Sequence, residues 1–259
     1  MCCAWFTRCF YQLVFGGNEA ILLRPLDMST NRKTWDSFEA MRTAAQEGDA
    51  QAQCYLGVCY QNGQGVDQNY TEAVKWFRRS AEQNDPVAQC YLGVCYMTGA
   101  GVPQEYTEAA RWLREAAELD DPAAQFNLGM LYETGQGVPQ NYAEAIKWYR
   151  EAAQRGYPAA QFNLGVFYET GQVVPQDFKQ AVAWYQAAAD QECAPAQCNL
   201  GLCYQSGRGV EKNPAQAVKW FIRAARQGDK NAQHNLGLHY AAEEAEAEAA
   251  IEAAKNTPR

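Results

Sequence analysis

The sequence predicts an all-α fold, a right-handed α/α solenoid of tandem 36-residue helix-turn-helix repeats. Three observations carry that prediction. The segment AQFNLGMLYETGQGVPQNYAEAIKWYREAA, starting at Ala124, recurs nearly word for word at Ala160, 36 residues later. The same spacing links Leu56-Gly57, Leu92-Gly93, Leu128-Gly129, Leu164-Gly165, Leu200-Gly201 and Leu236-Gly237. Each unit also reads as two helices separated by a glycine turn, and neither helix can bury its apolar surface alone. Stacking such units into a continuous core is the physical reason for repetition.

Residues 1–33 form an N-terminal extension outside the repeats. The extension has no basic run before an apolar core, so it makes a poor signal peptide. Translation from Met28 is expected, with residues 1–27 dispensable. Alternatively, Cys2 and Cys3 beside Met1 could be acylated and tether the chain to a membrane. A single solenoid is expected over 34–255. It begins with a half repeat at 34–48 and continues as full repeats at 49–84, 85–120, 121–156, 157–192 and 193–228. The last half repeat and an acidic capping helix occupy 229–255.

The first helix of each unit carries a stripe such as Ala124, Leu128 and Tyr132, with Leu131 beside it. Phe126, Met130 and Glu133 lie opposite, so this helix is apolar nearly all round. Gly129 leaves room for a close neighbour, and TGQGV ends the helix. Asn141 caps the second helix, with Glu144 three residues on to close a capping box. The pattern recurs as Asn69/Glu72, Asp177/Gln180 and Asn213/Gln216, with Glu105 a weaker cap. In that helix Ala145, Trp148, Tyr149, Ala152 and Ala153 share the buried face, and Lys147, Arg150, Glu151 and Gln154 the wet one. After Tyr240 the repeat gives way to AAEEAEAEAAIEAAKNTPR, a Glu-rich run expected to cap the stack.

Charge and motifs narrow the function. With 22 Lys and Arg against 30 Asp and Glu, the net charge of -8 argues against a nucleic-acid face. No apolar run is long enough to span a membrane. A cytoplasmic monomer is expected. Walker, G-x-S-x-G, Ser-x-x-Lys and H-E-x-x-H patterns are absent, so no enzyme activity and no cofactor are expected. The ten Cys alternate with apolar residues: Cys54, Cys90 and Cys198 stand where other units have Phe126 and Phe162. They behave as packing groups. Cys54 and Cys59 point about 140° apart on one helix, which disfavours a disulfide. Cys198, Cys203, His234 and His239 are suitable zinc ligands by type but not by spacing. Asn69-Tyr70-Thr71 reads as a helix cap rather than a glycosylation site.

The pattern A-x-x-x-L-G-x-x-Y-x-x-G-x-G-V…A-x-x-W-x-x-x-A-A resembles the Sel1-like repeat, a branch of the tetratricopeptide superfamily, over about residues 34–240. The resemblance implies a solenoid whose first helices line a concave groove, and an adaptor that assembles other proteins. A cysteine-rich branch binds β-lactams, which keeps β-lactam binding or hydrolysis as an alternative. That branch places disulfide cysteines in both helices of a unit, and this sequence does not. Val173 departs from the pattern, standing where other units have Gly65, Gly101, Gly137 and Gly209.

By that analogy the groove would bind an extended peptide through Asn127, Asn163, Asn199 and Asn235, with Tyr55 and Tyr91 in their place in the first two units. Phe126, Phe162 and Met130 would floor it with apolar pockets, with Glu133 and Glu169 beside them. Amides for the peptide backbone and apolar pockets for its side chains suit such a ligand. A purely structural role for the same Asn and Phe residues is the competing reading. The first helices lack the Lys or Arg pairs of a carboxylate clamp, so capture of a C-terminal carboxylate is not expected.

Overall fold

The computed structural model describes Trp35 and residues 37–241. It is an all-α solenoid of helix pairs, with no strand among the described residues. The helices are α1 (Phe38–Gln46), α2 (Ala50–Asn62), α3 (Tyr70–Ala81), α4 (Pro86–Thr98), α5 (Tyr106–Glu118), α6 (Pro122–Thr134), α7 (Tyr142–Gln154), α8 (Pro158–Thr170), α9 (Phe178–Ala189), α10 (Ala194–Ser206) and α11 (Pro214–Arg226). A twelfth, α12, begins at residue 230 and is helical through 241. The N-terminal extension and the acidic capping segment lie outside the described residues. The chain divides into two compact units between Ala160 and Gln161, inside α8.

In the first unit, α2, α4 and α6 are first helices, paired with α3, α5 and α7. Their core holds Leu56, Phe77, Leu92, Leu113, Leu128 and Tyr149, all fully buried. Gly129 is the point of closest approach within one pair. A Cβ there would sit 2.8 Å from the Tyr149 ring, so only glycine lets α7 lie this close. In the second unit Leu164, Tyr185, Leu200 and Phe221 repeat the arrangement.

Glycine in the left-handed region ends α2, α4, α6 and α10, with Gly135 at φ 73°. The second helices start as expected, except in one respect. Asn141 Oδ1 accepts from the N–H groups of Ala143 and Glu144. The N–H of Asn141 itself donates to Tyr132 O at 2.8 Å, not to the Glu144 side chain. Asn69, Glu105, Asp177 and Asn213 make the same bond to Tyr60, Tyr96, Tyr168 and Tyr204. The capping box is therefore only half formed. The first helix supplies the other half, and Glu105 starts α5 with no side-chain cap. Trp148, expected on the buried face, is half-buried, and Ile146 is buried instead.

A glutamine ladder, not anticipated from the sequence, joins successive helices. Gln53, Gln89 and Gln125 donate Nε2 to Ala45 O, Ala81 O and Ala117 O, the last turn of the preceding helix. Gln197 does the same with Ala189 O. Gln83 then donates to Gln53 Oε1, Gln191 to Gln161 Oε1 and Gln227 to Gln197 Oε1. The corresponding positions in the other two repeats are Leu119 and Arg155, and there the Gln89 and Gln125 Oε1 atoms are buried without a partner. Arg155 instead pairs with Asp120 and Glu151. A buried acceptor left unpaired costs about 1–3 kcal/mol. Leu119 is 49% exposed, so exchanging it loses little packing. Leu119→Gln should therefore stabilise the chain by about 1 kcal/mol, read as a higher urea midpoint. A lower midpoint would refute the ladder's role.

Candidate functional site

The first helices do not present all the predicted groove residues to solvent. At about 100° per residue, Asn127, Met130 and Thr134 share one face of α6. Only part of that face is accessible. Asn127 is fully buried and donates Nδ2 to Ala123 O, one turn back on its own helix, at 2.9 Å. Phe126 turns towards α7 and the following turn, its ring centroid 5.6 Å from Tyr149 and 5.2 Å from Tyr157. Tyr91 stacks on Phe77 at 4.9 Å, and Tyr55 meets Trp35 edge-on at 5.5 Å. Phe162 and Asn163 are buried as well. All six side chains are buried, where the sequence reading expected them to line the groove.

The accessible remainder is narrower. In the first unit, Val87 and Met130 are half-buried, Thr98 is exposed and Thr134 half-buried. In the second, Val166, Asn199, Leu202 and Asn235 are half-buried, Thr170 and Ser206 are exposed, and Leu238 is 56% exposed. The first set is apolar and edged by hydroxyls, and the second adds the amides of Asn199 and Asn235.

The two predicted acidic residues are held by tyrosines. Glu133, 6% exposed, accepts from the Tyr149 hydroxyl at 2.6 Å. Half-buried Glu169 accepts from the Tyr185 hydroxyl at 2.6 Å and pairs with Arg208 at 3.3 Å. Burial raises the Glu133 pKa, and the Tyr149 bond offsets part of that rise. Because the folded-state value is raised, stability falls as pH climbs from the ordinary carboxylate range through it. At neutral pH the fold therefore carries a cost at this carboxyl. Gln61 and Gln205 hold the same repeat position. Glu133→Gln keeps an acceptor for Tyr149, so it should raise stability at pH 7 by about 1 kcal/mol. The gain should vanish below pH ~4, where both side chains are neutral. Melting curves at the two pH values check this, and a destabilised variant at pH 7 would refute it.

The cysteines follow their own pairing rule. The Asp121 carboxylate acts on the Cys90 thiol, Asp229 on Cys198 and Asp85 on Cys54, each raising the thiol pKa after burial. Where Phe126 replaces the thiol, Tyr157 replaces the aspartate 31 residues on. Burial first, and then the neighbouring carboxylate, push the Cys198 pKa up to about 12. Such thiols are protonated and unreactive at neutral pH. Cys54, Cys59, Cys90, Cys193, Cys198 and Cys203 are free thiols. Among the described residues no cluster of three or more Cys, His, Asp or Glu is placed to hold a metal, and no helix is long and apolar enough to cross a membrane.

Helix pairs repeating every 36 residues, joined through left-handed glycine turns and packed glycine against ring, define a helix-pair repeat protein. Five consecutive matches to the Sel1 repeat, at residues 50–85, 86–121, 122–157, 158–193 and 194–229, make the chain a member of the Sel1 repeat family. Proteins of this family are generally protein-interaction scaffolds. The chain is similar to a Sel1 repeat protein from Oxalobacter formigenes, with 37% identity and a TM-score of 0.72 over 79% of this chain and 90% of that one. It is also similar to a protective antigen of uropathogenic Escherichia coli that displays an SLR fold, with 39% identity and a TM-score of 0.72. That match covers 79% of this chain but 44% of the antigen, so the chain spans less than half the antigen's length. An immunity protein from Pseudomonas aeruginosa, 21% identical, shares the fold with a TM-score of 0.53 over 83% of this chain and 88% of that one. No curated protein matches the chain.

Proposed function

We propose that the chain is a non-enzymatic scaffold that binds an extended segment of another protein along the groove side of its first helices. The observation that supports this most is the accessible row. Val166 and Leu202 hold equivalent positions in successive repeats, remain half-buried, and are each followed one turn on by an exposed hydroxyl, Thr170 or Ser206. An apolar floor with polar edges suits an extended chain, whose side chains alternate between pocket and solvent. The perturbed side chains do not form a catalytic set. The raised thiols and Glu133 are buried in the core, and each carboxylate or thiol partner described above is structural.

The test is Leu202→Ser together with Val166→Ser, compared with the unaltered chain for retention of its binding partner. Circular dichroism should show both chains fully helical. The double variant should lose the partner by roughly tenfold or more, as expected for central contacts. Equal retention by both would move the site away from these helices.

A further inference from the structure

Charge is distributed very unevenly between the two kinds of helix. α2, α4 and α10 contain no Asp, Glu, Lys or Arg at all. α6 contains only Glu133 and α8 only Glu169, and tyrosines take up both. The second helices carry the charge instead: Glu72, Lys75, Arg78 and Arg79 on α3, for example, or Glu108, Arg111, Arg114, Glu115 and Glu118 on α5. Many of these pair with each other along their own helix, as Arg111 does with Glu108 and Glu115. A protein with 52 charged residues in 259, 22 basic and 30 acidic, therefore keeps one class of helix almost free of them.

Packing explains only part of this. A side chain buried on all sides is disfavoured as an ion unless it is paired, and that accounts for Leu128 or Phe126. The accessible row is under no such constraint. Val166, Asn199, Leu202 and Asn235 are half-buried, and Thr170 and Ser206 are exposed. At such positions a Lys or Glu could place its head group in water at little cost. All six are uncharged. At the edge of the row Arg208 donates to the Ser206 hydroxyl at 3.2 Å and pairs with Glu169 at 3.3 Å, and Tyr185 donates to the same carboxylate, so this cation and anion offset each other.

Resting on the scaffold reading above, we infer that the row in the second unit receives an uncharged, predominantly apolar protein segment, and that binding there does not depend on ionic strength. A charged partner would meet no net charge on this row, because Arg208 is offset by Glu169, and it would lose hydration on approaching Leu202 and Val166. An uncharged segment loses neither. Its backbone amides can pair with Asn199 and Asn235, and its apolar side chains can cover Leu202 and Leu238.

The full chain, immobilised, would be used to select a phage-displayed library of random dodecapeptides. Enriched peptides would be synthesised with a fluorophore and their affinity measured by polarisation. Enriched sequences should be poor in Asp, Glu, Lys and Arg, and their Kd should change by less than about twofold between about 50 and about 500 mM NaCl. Leu202→Asp should weaken them by roughly tenfold or more. Thr170→Asp, at an exposed position whose hydroxyl bonds only to its own helix, keeps the test sharp if Leu202→Asp unfolds. It should weaken the uncharged peptides and shift selection toward basic ones. Enrichment of acidic or basic peptides by the unaltered chain, or a Kd that rises steeply with salt, would overturn this inference while leaving the scaffold reading standing. So would concentration-dependent dimerisation abolished by Thr170→Asp, because the row would then belong to a second copy. Failure to enrich any peptide would overturn the scaffold reading and this inference together.

Discussion

Phe126→Ala is expected to cost about 3–5 kcal/mol, the range for truncating a large buried ring. The Phe126 side chain is fully buried, and its ring lies between Tyr149 and Tyr157. Removing it opens a cavity between α6, α7 and the turn that leads to α8, and neither tyrosine can collapse into it without giving up its own contacts. Urea unfolding followed by circular dichroism should show the midpoint falling with little change in slope. A loss below about 1 kcal/mol would mean that this junction repacks freely. The same burial rules out Phe126→Ala as a test of binding. A partner lost by that variant would report an unfolded repeat rather than a missing contact.

Gly137→Ala should be the second most damaging change, at about 2–4 kcal/mol. Gly137 sits at φ 69°, where an L-residue is strained by about 1 kcal/mol or more. A Cβ there would lie 2.1 Å from Tyr106 O, at the start of α5. Backbone, unlike a flexible side chain, cannot move aside cheaply, so the turn would lift off the preceding helix. Gly101 and Gly209 stand in the same relation to Tyr70 O and Phe178 O. Gly135→Ala, a positive-φ position that meets the Gln140 side chain at 3.1 Å, should cost less and provides the comparison. Equal losses at the two sites would show that the backbone clash contributes nothing. Val173 marks the fourth turn as the exception. It is 37% exposed and is not among the residues of positive φ, so this turn takes a different path that a β-branched side chain can follow.

The repeat length, the pairing of helices and the glycine turns were all legible in the amino-acid sequence. Leu128, Gly129 and Tyr149 act within one repeat and Gly137 marks a local turn, and a fixed period multiplies each signal several times. The neutrality of the first helices was equally visible as composition. The glutamine ladder was not, because Gln53 and Gln83 are 30 residues apart and neither is unusual alone. Nor was the pairing of Cys90 with Asp121, or of Phe126 with Tyr157, although the matched exchange 31 residues apart could have suggested it.

Only the tertiary structure decided which face of the first helix meets water. Such a helix is apolar nearly all round, so periodicity cannot distinguish a side turned to a neighbour from one turned to a ligand. Asn127 and Asn199 show the limit. They occupy the same position in the repeat, yet one is sealed in the stack and donates to Ala123 O while the other stays half-buried. What surrounds each depends on neighbouring repeats with different side chains, and that is a property of the assembled stack. The sequence alone determined that this protein is a tandem stack of helix pairs. The depth at which each residue sits, and so the surface left for a partner, came from the packing of one repeat on the next.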